Sequence, residues 1–85
     1  MITKDIQISN VTMKEAHPAA VLVQLASQFE SSVYIDVQDR KVNAKSIMGM
    51  MSLTLNAGDE LTIITKGADE EPAMDRIEEY LCTGR

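Results

Sequence analysis

The sequence predicts an α+β fold of two layers, an open-faced sandwich in which three helices cover one face of a four-stranded antiparallel sheet. Three observations lead to this prediction. The chain has 85 residues, which suits a single domain over residues 1–85. Its segments follow the order strand, helix, strand, strand, helix, strand, helix. No predicted strand is a continuous apolar run, so the strands are expected to be antiparallel with one wet face.

Four segments are predicted to be strands, and the first two show the period-two alternation of a half-buried strand. The first is residues 5–9, in which the isoleucines fall on one face. Residues 33–37 and 41–43 are the second and third, and the short turn between them predicts a hairpin. The fourth is residues 61–66, which follow the turn-forming residues 56–59.

Three helices are predicted from apolar spacing and end signals. The first covers residues 18–29, and it can begin at Pro18 because proline is tolerated in a first turn. The second is short and runs from residue 46 or 47 to residue 53. The third covers residues 70–81, with Asp69 as its N-cap. The buried stripe of the first helix is expected to comprise Leu22, Leu25, Ala26 and Phe29.

Composition argues against several classes of function. Eight basic and thirteen acidic residues give a net charge of −5, which disfavours direct binding to nucleic acid or to an anionic membrane. The single cysteine, Cys82, and single histidine, His17, predict neither an internal disulfide nor a metal site. There is no glycine-rich phosphate loop, and no cofactor is expected. No membrane span or secretion signal is seen, so the expected location is the cytoplasm.

The first candidate for chemistry is the segment Glu-Ala-His-Pro at residues 15–18, where the first helix begins. The N-terminus of a helix attracts anions, and an imidazole placed there can accept a phosphoryl group. The alternative for His17 is an ordinary surface residue beside a helix.

The second candidate is Ser46, where a strand gives way to the short helix. A serine in this place is a natural N-cap. Phosphorylation would add about two negative charges at the positive end of the helix dipole, which the helix should tolerate. The alternative is an N-cap with no further role.

The third candidate is an apolar surface. Met48, Met50 and Met51 crowd one short helix that cannot bury every side, so some of them are expected to contact a partner protein. The alternative is that they fill the core. On the first helix, Val23 is expected to be exposed without a structural need. The residues of that helix that fall off the buried stripe are Ala20, Val23, Gln24 and Ser27.

Three stretches resemble HPr, the small phosphocarrier of the bacterial sugar phosphotransferase system. They are residues 18–27 (PAAVLVQLAS), 41–49 (KVNAKSIMG) and 58–61 (GDEL). The resemblance covers essentially the whole chain and implies an HPr-like sheet of strand order 1-4-2-3. The segment at 43–49 is similar to the version found in Gram-positive bacteria, in which its serine is a regulatory phosphorylation site.

The sequence departs from HPr at the carrier site. Carrier proteins have Gly-(aliphatic)-His-Ala-Arg-Pro before the first helix. Aligned on Pro18, this chain has Met13 at the glycine, Lys14 at the aliphatic residue, Glu15 at the phosphorylated histidine and His17 at the arginine. A carboxylate cannot replace imidazole in reversible transfer of a high-energy phosphoryl group. The departure implies a degenerate carrier site and the loss of the carrier role. The sequence also has no Ser/His/Asp set with credible spacing, so the protein is not expected to be an enzyme.

This pattern resembles the Crh (catabolite repression HPr-like) branch of the family, which lacks the active histidine and keeps the regulatory serine. The resemblance implies that HPr kinase/phosphorylase phosphorylates Ser46 with ATP. The product would then be a corepressor for a LacI-type regulator, catabolite control protein A. His17 replaces an arginine kept in that branch and would read phosphoserine only when protonated. The implied partner-binding residues are Ala20, Val23, Gln24, Ile47, Met48 and Met51.

Two other functions stay open at the level of sequence. A phosphocarrier acting through His17 would be labelled by phosphoenolpyruvate and enzyme I in an acid-labile form. A phosphorylation-independent binding module would hold its partner regardless of Ser46→Asp. The oligomeric state does not follow from the sequence.

Overall fold

The computed structural model describes residues 1–9, 18–37, 39–53 and 55–84. Within them the elements follow the order expected from the sequence. They are β1 (Ile2–Gln7), α1 (Pro18–Ser27), β2 (Ser32–Val37), β3 (Arg40–Asn43), α2 (Ile47–Met51), β4 (Glu60–Lys66) and α3 (Glu70–Thr83).

The strands form a four-stranded sheet in the order β1-β4-β2-β3, and every neighbouring pair is antiparallel. In the interior of the sheet, Ile63 of β4 lies opposite Lys4 of β1 and Ile35 of β2. The hairpin expected between β2 and β3 is present, with Val37 opposite Arg40. The predicted architecture is therefore confirmed, and α2 begins beside an edge strand.

One face of the sheet carries the core. Val33, Ile35 and Ile63 are fully buried, whereas Asp36 and Thr62, which point the other way, are partly exposed. Full burial of such an aliphatic side chain stabilises the fold by about 1.5–3 kcal/mol. The buried residues that the two long helices contribute are Ala19, Leu22, Leu25, Ala26, Ala73, Met74, Ile77, Tyr80 and Leu81.

The first helix is shorter than its apolar spacing predicts. It ends at Ser27 because the next two N–H groups turn to carbonyls three residues back: Gln28 donates to Leu25 and Phe29 donates to Ala26, each at 3.2 Å. This tightening ends the regular α-helical pattern. Phe29 is consequently half-buried outside the helix, so its assignment to the buried stripe was wrong.

The other element ends differ by a few residues. β1 begins at Ile2 rather than at residue 5, because its pairing with β4 continues as far as Thr65. α2 ends at Met51 rather than at residue 53. α3 continues to Thr83, and Gly84 ends it in the left-handed conformation (φ 77°) with its N–H on the Tyr80 carbonyl at 2.8 Å.

Asp69 stands at the N-cap position of α3, as expected, but its side chain makes no capping hydrogen bond. Its carboxylate instead accepts the backbone N–H groups of Glu30 at 2.9 Å and Ser31 at 2.8 Å, together with the Ser31 hydroxyl. The turn before α3 is thereby tied to the start of β2. Gly67 allows the two segments to approach this closely, because a Cβ at its φ of 152° would lie 2.7 Å from the Ser31 Cα atom.

These hydrogen bonds stabilise the ionised carboxylate, with the largest effect from the Ser31 hydroxyl, and hold the pKa of Asp69 below its ordinary value of 3.8. The stabilisation is therefore complete above that value and is lost as the pH falls through the lower pKa of the folded state.

We expect Asp69→Asn to lower the melting temperature at pH 7, since an amide replaces one accepting oxygen by a donor. The same substitution should flatten the fall of melting temperature below about pH 4. Thermal unfolding followed by circular dichroism from pH 7 to pH 2 measures both effects. Asp75→Asn, at an exposed position of the same helix, is the matched control. Equal melting temperatures for Asp69→Asn and the parent protein at pH 7 would contradict this role.

Candidate functional site

Ser46 lies at the surface as the N-cap of α2. Its backbone is extended (φ −95°, ψ 110°), and its Oγ accepts the Gly49 N–H at 3.3 Å. The turn before it follows directly from the sequence: Asn43 accepts the Ser46 N–H on its carbonyl at 3.0 Å and the Lys45 N–H on its side-chain oxygen at 2.9 Å. Ala44 donates to the Val33 carbonyl at 2.8 Å. The exposed hydroxyl is therefore held at a defined place beside the sheet edge.

Lys45 connects this turn to the first helix. Its half-buried side chain donates from Nζ to the Phe29 carbonyl, 2.6 Å away, just beyond the C-terminus of α1. A cation there complements the negative end of the α1 dipole, and α1 has no basic residue in its own last turn. Sequence reasoning missed this contact, because it joins residues 16 positions apart.

Arg40 holds the other end of α2. Its Nη2 donates to the Ser52 Oγ at 3.2 Å, and that hydroxyl donates to the Gly49 carbonyl at 2.6 Å. α2 has no basic residue in its last turn, so the guanidinium of β3 supplies the charge that favours a helix C-terminus. This contact was also missed, and the only sequence signal for it is a basic residue in a hairpin that precedes a short helix.

Gly49 leaves space beside the serine. A Cβ at residue 49 would stand 3.4 Å from the Ser46 Oγ and 3.6 Å from the Ser46 Cβ. A hydroxyl tolerates such a neighbour, but a phosphoryl group brings three further oxygens to the same place.

The methionines of α2 divide between core and surface. Met50 is 0% exposed, whereas Met48 is 84% and Met51 53% exposed, and Ile47 beside them is 49% exposed. Met50 therefore fills the core, whereas Met48 and Met51 are exposed, as expected for a helix too short to bury every side. The exposed residues Ile47, Met48 and Met51, together with Ser46, are called the α2 surface below. Its role in partner binding stays a prediction.

The three residues of α1 that were predicted to bind a partner differ in exposure. Gln24 is exposed and Ala20 is half-buried. Val23 is half-buried and packs against the hydrophobic core, so the expectation of an exposed valine without a structural need was wrong. The candidate residues Glu15 and His17 lie outside the described residues, as do Met13 and Lys14.

Charge is segregated away from these two helices. No Lys, Arg, Asp or Glu occurs in residues 18–29 or in residues 46–58, although charged residues make up 25% of the chain. Both α1 and α2 are therefore uncharged. Positive charge lies next to these helices: Lys45 contacts the chain just beyond the end of α1, and Arg40 contacts the end of α2.

Neither a membrane-spanning helix nor a metal-binding cluster is present in the ranges that the structure describes. There, no helix is both long and apolar enough to cross a membrane. In the same ranges, no three His, Cys, Asp or Glu side chains lie together as a metal-binding group would require.

Comparison with known proteins identifies the class. The family model for the HPr component phosphorylation site of the phosphotransferase system matches residues 2–82. The chain belongs to the HPr family. It is 44% identical over 77 residues to the HPr-like protein Crh of Halalkalibacterium halodurans, covering 91% of this chain and 92% of that protein. It is 41% identical over 81 residues to the HPr-like protein Crh of Bacillus subtilis, covering 95% of each.

The fold agrees with solved structures of the family. The crystal structure of the phosphocarrier protein HPr from Bacillus anthracis matches with a TM-score of 0.85 at 40% identity, covering 94% of this chain and 95% of that one. These similarities support an HPr-family regulator.

We expect Ser46→Ala to lower the free energy of unfolding by about 0.5–1 kcal/mol, because it removes the cap acceptor of a short exposed helix. Ser46→Asp should recover most of that loss, since its carboxylate can accept the same N–H. Urea denaturation measures the effect, with Ser27→Ala at the exposed end of α1 as the control. A loss above about 2 kcal/mol would show that the serine is part of the core framework and not an exposed cap.

Proposed function

We propose that this protein is a non-enzymatic regulatory adaptor of the cytoplasm that is switched by phosphorylation of Ser46. HPr kinase/phosphorylase transfers the phosphoryl group from ATP, and the phosphorylated protein is a corepressor for catabolite control protein A. The observation that carries this proposal is an exposed serine hydroxyl at the start of α2, next to exposed apolar side chains on an uncharged surface. The similarity to two HPr-like Crh proteins supports it.

The phosphorylation step needs little from the substrate protein beyond presentation of the hydroxyl. The Ser46 Oγ attacks the γ-phosphorus of ATP, the bond from that phosphorus to the bridging oxygen breaks, ADP leaves, and the hydroxyl proton passes to a base of the kinase. The turn at Asn43 and the Lys45 contact hold the serine in place for this attack. Gly49 leaves room for the product.

The product is compatible with the fold. A phosphate at the N-terminus of α2 stands at the positive end of the helix dipole and can accept the Gly49 N–H that the hydroxyl now accepts. The modification therefore changes the surface while the helix stays intact.

The electrostatic change is large because the surface starts without charge. Phosphorylation adds about −2 at Ser46, in a segment that otherwise has no charged residue from 46 to 58. A partner that binds the product needs cationic donors for the phosphate and an adjacent apolar recess for Met48 and Met51. An unphosphorylated copy would leave those partner cations desolvated without a counter-charge, which disfavours binding.

Carrier activity is disfavoured by Glu15 at the position of the phosphorylated histidine. The remaining carrier hypothesis requires His17, and it predicts acid-labile labelling by phosphoenolpyruvate and enzyme I. A binding module that ignores phosphorylation predicts equal partner affinity for the parent protein and Ser46→Asp. These outcomes separate the three functions.

The test is phosphorylation by a Gram-positive HPr kinase/phosphorylase with ATP, read by intact mass and site mapping. We expect one added phosphate on Ser46, none in Ser46→Ala, and unchanged labelling in Ser27→Ala, which removes an exposed hydroxyl at the end of α1. Labelling that persists in Ser46→Ala would reject the site.

A further inference from the structure

Methionines of very different exposure stand side by side on α2. Met48 is 84% exposed and Met51 is 53% exposed, whereas Met50 between them is fully buried. Elsewhere in the described residues, Met74 is 1% exposed in the core and Met1 is 75% exposed. Exposure to solvent governs which thioethers meet a dissolved oxidant, so this helix contains both reactive and protected sulfur atoms.

We propose that Met48 and Met51 form a reversible oxidation site through which peroxide switches the α2 surface off. This inference rests on the proposed function, because the surface that it inactivates is the proposed docking surface. The oxidant is hydrogen peroxide, and the restoring reductant is a thiol-dependent methionine sulfoxide reductase.

The chemistry is a two-electron oxygen transfer. The thioether sulfur attacks one peroxide oxygen, an S–O bond forms, the O–O bond breaks, and the second oxygen leaves as water after proton transfer within the peroxide. The sulfur is oxidised by two electrons and the peroxide is reduced by two. The reductase returns the thioether with two electrons from thiols, which become a disulfide, and the oxygen leaves as water.

The consequence for binding follows from the position of these side chains. A sulfoxide is polar and accepts hydrogen bonds, so its burial in an apolar recess of a partner is unfavourable. Ile47 would be the remaining apolar contact of the α2 surface. Burial of Met48 or Met51 in a partner contributes to the binding free energy. The loss of this contribution weakens binding by at least about tenfold.

The fold itself is protected from the same reagent. Met50 and Met74 pack in the core, where peroxide does not reach their sulfur atoms in the native state. Oxidation can therefore remove the docking surface without loosening the sheet-and-helix core, which distinguishes a switch from general oxidative damage.

The experiment uses the full chain in a Met13→Leu, Cys82→Ser background, which removes one methionine outside the described residues and the exposed thiol. Peroxide oxidation is mapped by mass spectrometry over time. We expect Met48 and Met51 to react together with the remote Met1, and Met50 and Met74 to stay reduced with an unchanged circular dichroism spectrum. Oxidation of Met50 at the rate of Met48 would overturn the proposal.

Binding supplies the second readout. The Ser46-phosphorylated protein, before and after peroxide, is titrated with catabolite control protein A. We expect at least about a tenfold loss of affinity after oxidation, recovery after treatment with reductase, and no loss in a Met48→Leu, Met51→Leu variant whose Met1 is still oxidised. If the affinity is unchanged after full oxidation of both methionines, the oxidation switch is rejected and the proposed function is unaffected. Failure of the untreated phosphorylated protein to bind contradicts the proposed function, and the switch with it.

Discussion

The brevity of α2 is the constraint on which the arrangement of the site depends. With five residues from Ile47 to Met51, the helix turns one inward side chain, Met50, fully into the core. Its other large side chains remain outside, and its N-cap hydroxyl lies beside them. A helix this short is not stable by itself. It persists because neighbouring elements hold both of its ends, through the Asn43 turn at the start and Arg40 with Ser52 at the end.

The proposed function of the α2 surface depends on its lack of charged side chains. In this acidic protein, two adjoining helices have no charged side chains. One phosphate therefore changes the local charge greatly, because these helices contribute no negative charge of their own. The same apolar character makes the surface sensitive to the oxidation state of sulfur. Phosphorylation and oxidation would then act on neighbouring atoms with opposite results, since one supplies a charge that a partner reads and the other removes the apolar contact that the partner needs.

Local patterns in the sequence predicted most of the fold, because alternation and helical spacing depend on near neighbours. The Ser46 cap followed from its position between a strand and a helix. The Asp69 contact with Ser31, the Lys45 contact with Phe29 and the Arg40 contact with Ser52 could not be predicted, because each joins residues that only the tertiary fold brings together. Val23 shows the same limit: helical phase placed it off the stripe, but neighbouring elements half-bury it.

The most direct test of the central claim maps the docking surface on the isotope-labelled protein by NMR. The Ser46-phosphorylated and unphosphorylated forms are each titrated with catabolite control protein A. The account predicts that, in the phosphorylated form alone, the largest amide shift changes occur in α2 and at exposed positions of α1 such as Gln24. Equal changes in both forms, or largest changes on the exposed side of α3, would contradict it.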